Sequence, residues 1–494
     1  MLTQVILQTI FIAVLARLIS VEAFGVMAIA LVVVGFIEIF SQIGIGPALI
    51  QKKDPTPAHL SAAFTISVIL GVFFTTLLYF LSPLIAMWYH HPPLEGVLKV
   101  IGFSFLIASL AIVPKSMIIK SMDFKKLFIA SGTAMTIGNI VIGLGLAYLG
   151  YDLWAYVFAL LSQNVIMMIF FWIFHPIKIN VSWNLNTAKE MIIYGGGSTI
   201  FNIFNYAATK IDTLIVSVMS GGSIDFTASE STRWGETGIY DRSVYLMGLP
   251  ITVLGKLSDS VLFSGLSLIQ DEIQQLQRAV LSAIYHIALL VIPGTALLLT
   301  NTREITILFL GEDYAAAVPI VQILFIGVIF RSLIKIGDAV VRALRTKYLY
   351  LGSLVKAAFF IFVATGAYFG YKYGLQGVAW GLLVAVFLQF LLMTVLCSRI
   401  LKLASNRMMR KLIPGIIAGI LTALGAIIVR LVLPEDLDML FLRAIACALG
   451  AISILFIGTI LAPWLFEQGE DQLLRNVSKR VPVSFIKNRW SREA

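Results

Sequence analysis

Residues Ala316–Val341 read AAVPIVQILFIGVIFRSLIKIGDAVV. The run exceeds the ~20 apolar residues a helix needs to cross a bilayer, yet Arg331, Lys335 and Asp338 stand inside it. A charge at bilayer depth costs at least ~2.5–3.5 kcal/mol unless it faces water or a partner. A spanning helix that keeps three of them implies a polar cavity within a membrane protein. About fourteen stretches of this kind fill the chain, near 4–19, 24–50, 60–87, 95–119, 127–149, 153–174, 190–219, 237–265, 279–300, 316–341, 347–370, 374–398, 411–431 and 439–465. The predicted fold is therefore all-α, a polytopic membrane protein.

Composition agrees. The 494 residues are 59% hydrophobic and 13% charged, with a mean hydropathy of +0.94. A soluble chain of this make-up would expose too much apolar surface. The two cysteines, Cys397 and Cys447, both fall inside predicted spans, where they read as small buried hydrophobes rather than a disulfide. The first span lacks a basic leader and thirteen more follow, so it reads as a span and not as a signal peptide.

The net charge of +10 is distributed by topology. About 24 lysines and arginines lie in one alternating set of loops and in the C-terminal tail, among them Lys52 and Lys53, Lys115 to Lys126, Arg342 to Lys347, Arg399 to Lys411 and Arg475 to Arg492. The opposite set of loops holds five: Arg17, Arg233, Arg303, Lys372 and Arg430. Such a bias predicts that the first set and both termini are cytoplasmic. Anionic lipid headgroups then account for the basic excess, and nucleic acid is not expected as a partner.

The two halves of the chain echo one another. Phe24-Gly25-Val26 resembles Thr237-Gly238-Ile239, Leu49-Ile50-Gln51 resembles Leu268-Ile269-Gln270, and Gly150 to Ala155 resembles Gly374 to Trp380. The order is conserved between halves and the offset stays near 220 residues. A parallel duplication follows, with two pseudo-symmetric six-helix bundles over 1–185 and 186–405, two extra C-terminal helices over 406–467 and a basic tail over 468–494. The first span is shorter than its counterpart by a turn or two of helix, as if the N-terminus were clipped.

Two polar stripes stand out. Arg331, Lys335, Asp338 and Arg342 follow helical spacing along one face of the tenth span. They read either as a cationic cavity lining suited to a phosphate, or as a structural ion pair through Asp338. Lys356 in the next span would extend the lining. Asn202, Asn205, Thr209 and Asp212 form a second stripe in the seventh span, beside Lys210. They read as groups that bind sugar hydroxyls, with Asp212 able to take a coupling proton, or as polar glue between helices. Asp241 and Arg242 sit at the mouth of the eighth span, and Glu38 in the second could titrate. Asp338 is a further candidate for ion coupling.

Enzyme signatures are absent: there is no H-E-x-x-H, no Walker lysine loop and no CxxC pair. His90 and His91 share one short outer loop, which is thin support for a metal, and neither a metal nor a cofactor is expected. With no ATP-binding domain in the sequence, transport would draw on an ion gradient, the membrane potential or a downhill lipid flux.

The segments Leu15 to Gly25 and Ile43 to Gln51 resemble the opening of the polysaccharide transporter family, the Wzx-type oligosaccharide flippases of the superfamily that also holds multidrug exporters and the lipid II flippase. Gly238-Ile239-Tyr240-Asp241-Arg242, with Leu249-Pro250 and Val261 to Gln270, resembles the family's second signature, and the glycine turns at Gly150 and Gly374 match its glycine–tryptophan turns. Ser264-Gly265 departs from a more usual proline–alanine. The resemblance implies two six-helix bundles around a central cavity. It implies export of an undecaprenyl-pyrophosphate-linked oligosaccharide, a repeat unit of a cell-surface polysaccharide, from the cytoplasmic to the outer face of a bacterial inner membrane. Arg331, Lys335, Lys356 and Arg242 would meet the pyrophosphate, and Asn202, Asn205 and Asp212 the sugars. Membrane lipids, a polysaccharide polymerase and a chain-length regulator would be its partners. A small-molecule exporter of the same superfamily and a membrane glycan polymerase or ligase are the rival readings.

Overall fold

The computed structural model describes residues 2–42, 45–51, 55–177, 206–220, 230–257, 272–344 and 346–432, together with Leu262, Gly265, Leu266 and Ile269. Among these residues every regular element is a helix. Hydrocarbon offers backbone groups no partner, and a helix satisfies them within one segment. Nine stretches among the described residues are long and apolar enough to span a bilayer, from Val21–Ser41 to Ser405–Leu431; one of them, Tyr350–Leu401, carries two expected spans joined by a tight turn. The chain is a multi-pass membrane protein. Span fourteen, the tail and the start of span seven lie outside the described residues, so the count of fourteen stays an expectation.

Large apolar side chains stand uncovered all over these helices, Phe80 at 68% and Trp88 at 72% exposure among them. That is the surface of a protein solvated by lipid tails.

Between helices, small residues set the spacing, as expected where no hydrophobic effect drives helices together. The Thr346–Gly370 and Gly374–Leu401 helices run backbone to backbone: a methyl on Gly366 would come within 2.7 Å of the Gly381 carbonyl oxygen, and Gly370 faces Gly377 in the same way. The equivalent pair in the first half approaches through Gly138, where a methyl would lie 2.5 Å from the Gln163 nitrogen. Each pair is joined by a glycine in the left-handed region, Gly150 at φ +83° and Gly374 at φ +71°, a conformation that only glycine adopts without strain. The echoed glycine turns thus share a positive φ.

Hydroxyls inside the spans are returned to their own helices. Ser67, Ser116 and Ser332 each donate to the carbonyl four residues back at 2.7 Å. Asp123 caps the Phe124–Met135 helix, accepting from the Lys126 backbone nitrogen at 3.2 Å. That bond, and the Lys126 ammonium at 3.2 Å, hold its carboxyl below the usual range. A nine-residue π-helical segment, Thr136–Leu144, interrupts the fifth span.

One detail differs from the sequence reading. The eighth span is already helical at Glu230, about two turns before the apolar run begins. Its first residues, ESTRWGE, are polar but helix-compatible, which hydropathy cannot register. Asp241 and Arg242 therefore stand three turns inside the helix.

Chain contacts divide the molecule into two compact units. The first comprises Met1–Leu249, Arg303–Leu324 and Ser353–Gln389; the second comprises Pro250–Thr302, Phe325–Gly352 and Phe390–Ala494. The first unit takes in the whole of the predicted first bundle together with parts of the second. The bundle boundaries at 185 and 405 are sequence expectations based on the duplication.

Candidate functional site

In the second unit, the Val318–Ala343 helix turns one side inward. Ser332, Leu333, Ile334, Ile336, Ala339 and Val340 are buried; Leu333, Ile334, Ile336 and Val340 among them line, with Ile284, Phe390, Met393 and Met408, a cavity of only about 30 Å³. Arg331, Lys335 and Asp338 are the half-buried positions of the same stretch, and Arg342 is exposed. The helical spacing read from sequence is thus a physical edge: the charged residues are the ones the apolar seam leaves uncovered. Gly255 lies beside the Lys335 stem, where a methyl would stand 3.7 Å from Cε. Arg342 donates from Nε to the Asp338 carbonyl oxygen at 3.2 Å.

The remaining described candidates fall in the first unit. Asp212 is 2% exposed. Its Oδ2 accepts from the Tyr240 hydroxyl at 3.0 Å and its Oδ1 from the Thr213 backbone nitrogen at 2.9 Å. Glu38 is exposed on the Val21–Gln42 helix and interacts electrostatically with Tyr206. Tyr206 lies across Gly35 and donates to the Leu31 and Val32 carbonyls at 3.2 and 3.0 Å. Lys356 is half-buried. Asn202 and Asn205 lie outside the described residues.

Arg242 is 5% exposed. Its Nε and Nη2 both donate to Asp241 Oδ2, the former at 3.2 Å. The guanidinium lies over the Phe24 ring at 4.6 Å and the Tyr245 ring at 5.1 Å. Phe24 in turn packs edge-on against Tyr314 at 6.3 Å and beside Tyr156 at 5.6 Å. Arg242 is thus a cation held by a carboxylate within an aromatic cage. Sequence reasoning singled out the charges but not the rings around them. Phe24 and Tyr240 did lie within quoted motifs, which was the available signal. Tyr156, Tyr206 and Tyr314 gave none. His91 meets the Trp234 ring at 4.4 Å between centroids, and no metal-binding cluster exists among the described residues.

A family described as polysaccharide biosynthesis protein matches residues 14–319. The chain belongs to that family. It is similar to the lipopolysaccharide biosynthesis protein WzxC of Escherichia coli (strain K12), 22% identical over 373 residues that make up 75% of this chain and 73% of WzxC. It is also similar to the teichuronic acid biosynthesis protein TuaB of Bacillus subtilis (strain 168), 23% identical over 62% of each chain. Among solved structures it shares its fold with the lipid II flippase MurJ in an inward closed conformation, at a TM-score of 0.74 and 14% identity over 94% of this chain and 98% of MurJ. A multidrug resistance MATE family transporter in an inward-facing conformation follows at 0.63 and 16%, covering 81% of this chain and 96% of its own.

Proposed function

We propose that the protein is a flippase. It moves a lipid-linked oligosaccharide, a repeat unit of a cell-surface polysaccharide, from the cytoplasmic to the outer face of a bacterial inner membrane by alternating access. It acts as a transporter and not as an enzyme, with both termini in the cytoplasm and two six-helix bundles around the path. Family membership and the names of the relatives support the substrate class.

One observation carries the mechanism. On the Val318–Ala343 helix, Arg331 and Lys335 lie on the edge that apolar packing leaves uncovered. Facing acyl chains there would be expensive, so they face water, substrate or a polar partner. A planar guanidinium beside an ammonium suits a pyrophosphate. Lys356 is a further candidate for the headgroup. Asn202, Asn205 and Asp212 meet sugar hydroxyls, while Asp212, Glu38 and Asp338 are the candidates for ion coupling. Arg242 reaches the headgroup only once its pairing with Asp241 opens. The lipid tail stays in hydrocarbon while the headgroup crosses. Moving one charge through 100 mV is worth ~2.3 kcal/mol, so a doubly negative headgroup leaving an inside-negative cell gains ~4–5 kcal/mol.

The test is the double variant Arg331→Gln, Lys335→Gln. Surface glycan should fall to background while the protein remains inserted in the membrane at its normal level. Full export by the double variant would remove the anion site. Drug resistance conferred on a sensitive strain, without glycan export, would favour the small-molecule exporter instead.

A further inference from the structure

Within the first unit, residues of the two sequence halves meet at one end, the end of the acid-leaning, lysine-poor loops. The closest approach is between the echoed glycines. A methyl on Gly25 would collide with the Trp234 carbonyl and lie 3.1 Å from the Gly238 nitrogen; one on Gly238 would collide with the Val21 carbonyl and lie 3.1 Å from the Gly25 nitrogen. The Val21–Gln42 and Glu230–Leu257 helices therefore cross with their backbones touching. Around this crossing, Trp234 meets His91 and Tyr89 at 4.4 and 6.1 Å, and Arg17 donates to the Leu308 carbonyl at 2.5 Å. One turn deeper the Arg242 cage takes Phe24 and Tyr156 from the first half and Asp241, Tyr245 and Tyr314 from the second.

We infer that this crossing is the outer gate of the transport path, closed in the present structure, with the Asp241–Arg242 pair as its latch. It rests on the alternating-access reading above and adds which residues must part. Two features suit a contact that opens. At the crossing itself the contact is between glycine backbones, so the two helices part there without repacking a side chain. The closed cage also leaves Arg242 Nη1 and the Tyr314 hydroxyl buried with no hydrogen-bond partner among the described residues. A buried polar group left unsatisfied is costly. Water admitted on opening would satisfy both groups, which offsets part of the cost of breaking the cation–ring contacts. The closed state is thereby kept from being too stable to leave.

The experiment uses the full-length protein with Cys397 and Cys447 replaced by alanine and Ser243→Cys as reporter. Ser243 is fully buried one residue from the latch. A membrane-impermeant maleimide is applied from the outer face of spheroplasts. Gly25→Val, which cannot close the crossing, should raise labelling of the reporter at least tenfold over the parent. A reporter as unreactive in that variant as in the parent, with the protein inserted, overturns the gate. A second pair guards against misfolding: His91→Cys with Trp234→Cys, bridged by a short bifunctional thiol reagent, should stop export and suppress labelling. Undiminished export by the bridged protein likewise overturns it. Labelling that follows both variants in a parent that exports no glycan would support the gate and remove the flippase reading, so the two can fail separately.

Discussion

Replacing Arg242 by methionine tests the latch as an energetic object. The guanidinium and Asp241 are both nearly sealed from solvent, at 5% and 7% exposure, and two aromatic rings complete the site at 4.6 and 5.1 Å. Methionine keeps much of the arginine's apolar volume but leaves the Asp241 carboxylate without its cation. Removing one member of a buried pair costs about 3–5 kcal/mol, most of it the penalty of the stranded charge. The lost cation–ring contacts add roughly 0.5–2 kcal/mol. Replacing both members, as in Asp241→Leu with Arg242→Met, removes the stranded charge and should recover most of the loss, since paired buried charges are often near neutral against apolar residues of similar volume. Arg242→Lys should fall between, because an ammonium cannot make the forked bond to Asp241 Oδ2. The assay is the melting temperature of the detergent-purified protein for the four members of the cycle. A single variant as stable as the parent, or a double variant no better than the single, would refute the assignment of a strongly coupled buried pair.

Two further outcomes follow from the packing and the helix caps. Gly377→Ala places a methyl against the Gly370 carbonyl and 2.8 Å from Tyr373 Cβ, so the helix pair must separate, at about 1–3 kcal/mol; a lower melting temperature with unaltered insertion is the expected readout, and Ala at the exposed, uncrowded Gly145 is the control. Acidification should destabilise the basic end of the first unit. Burial, with a smaller contribution from Lys126, holds the His175 imidazole below its ordinary value near 6.5, so the unfolded chain takes up that proton first and stability declines as pH falls through 6.5 and below. The Asp123 carboxyl is also lowered, so its contribution is lost at still lower pH, as it protonates in the folded state. Melting curves from pH 8 to 2 should show a first loss below about pH 6.5 that His175→Gln abolishes and a later one below about pH 4 that Asp123→Ala abolishes.

Much of this was legible from residue spacing. The edge formed by Arg331, Lys335 and Asp338 needed only the periodicity of one helix, because burial on a helix is set by angle. The glycine echoes were legible as a repeat; the positive φ at Gly150 and Gly374 is what the structure adds to it. The crossing of Gly25 with Gly238 was not, since nothing in a repeat says that its two copies touch. The aromatic cage was hidden for the same reason: Phe24, Tyr156, Arg242 and Tyr314 are assembled from four separate segments, and no one segment says which of the others it meets. The helical stretch from Glu230 ahead of the eighth apolar run was missed because hydropathy marks where lipid begins, and helices extend past that line.

The paired glycines at Gly366 with Gly381 and Gly370 with Gly377 leave no side-chain cushion between their two helices. Rods in such contact cannot slide or bend independently, so the hairpin behaves as a single stiff lever. Over roughly 27 Å of its length at 1.5 Å per residue, a tilt of about 10° would swing the far tip by about 5 Å. A small rotation at one membrane face thus becomes a displacement the width of a sugar ring at the other.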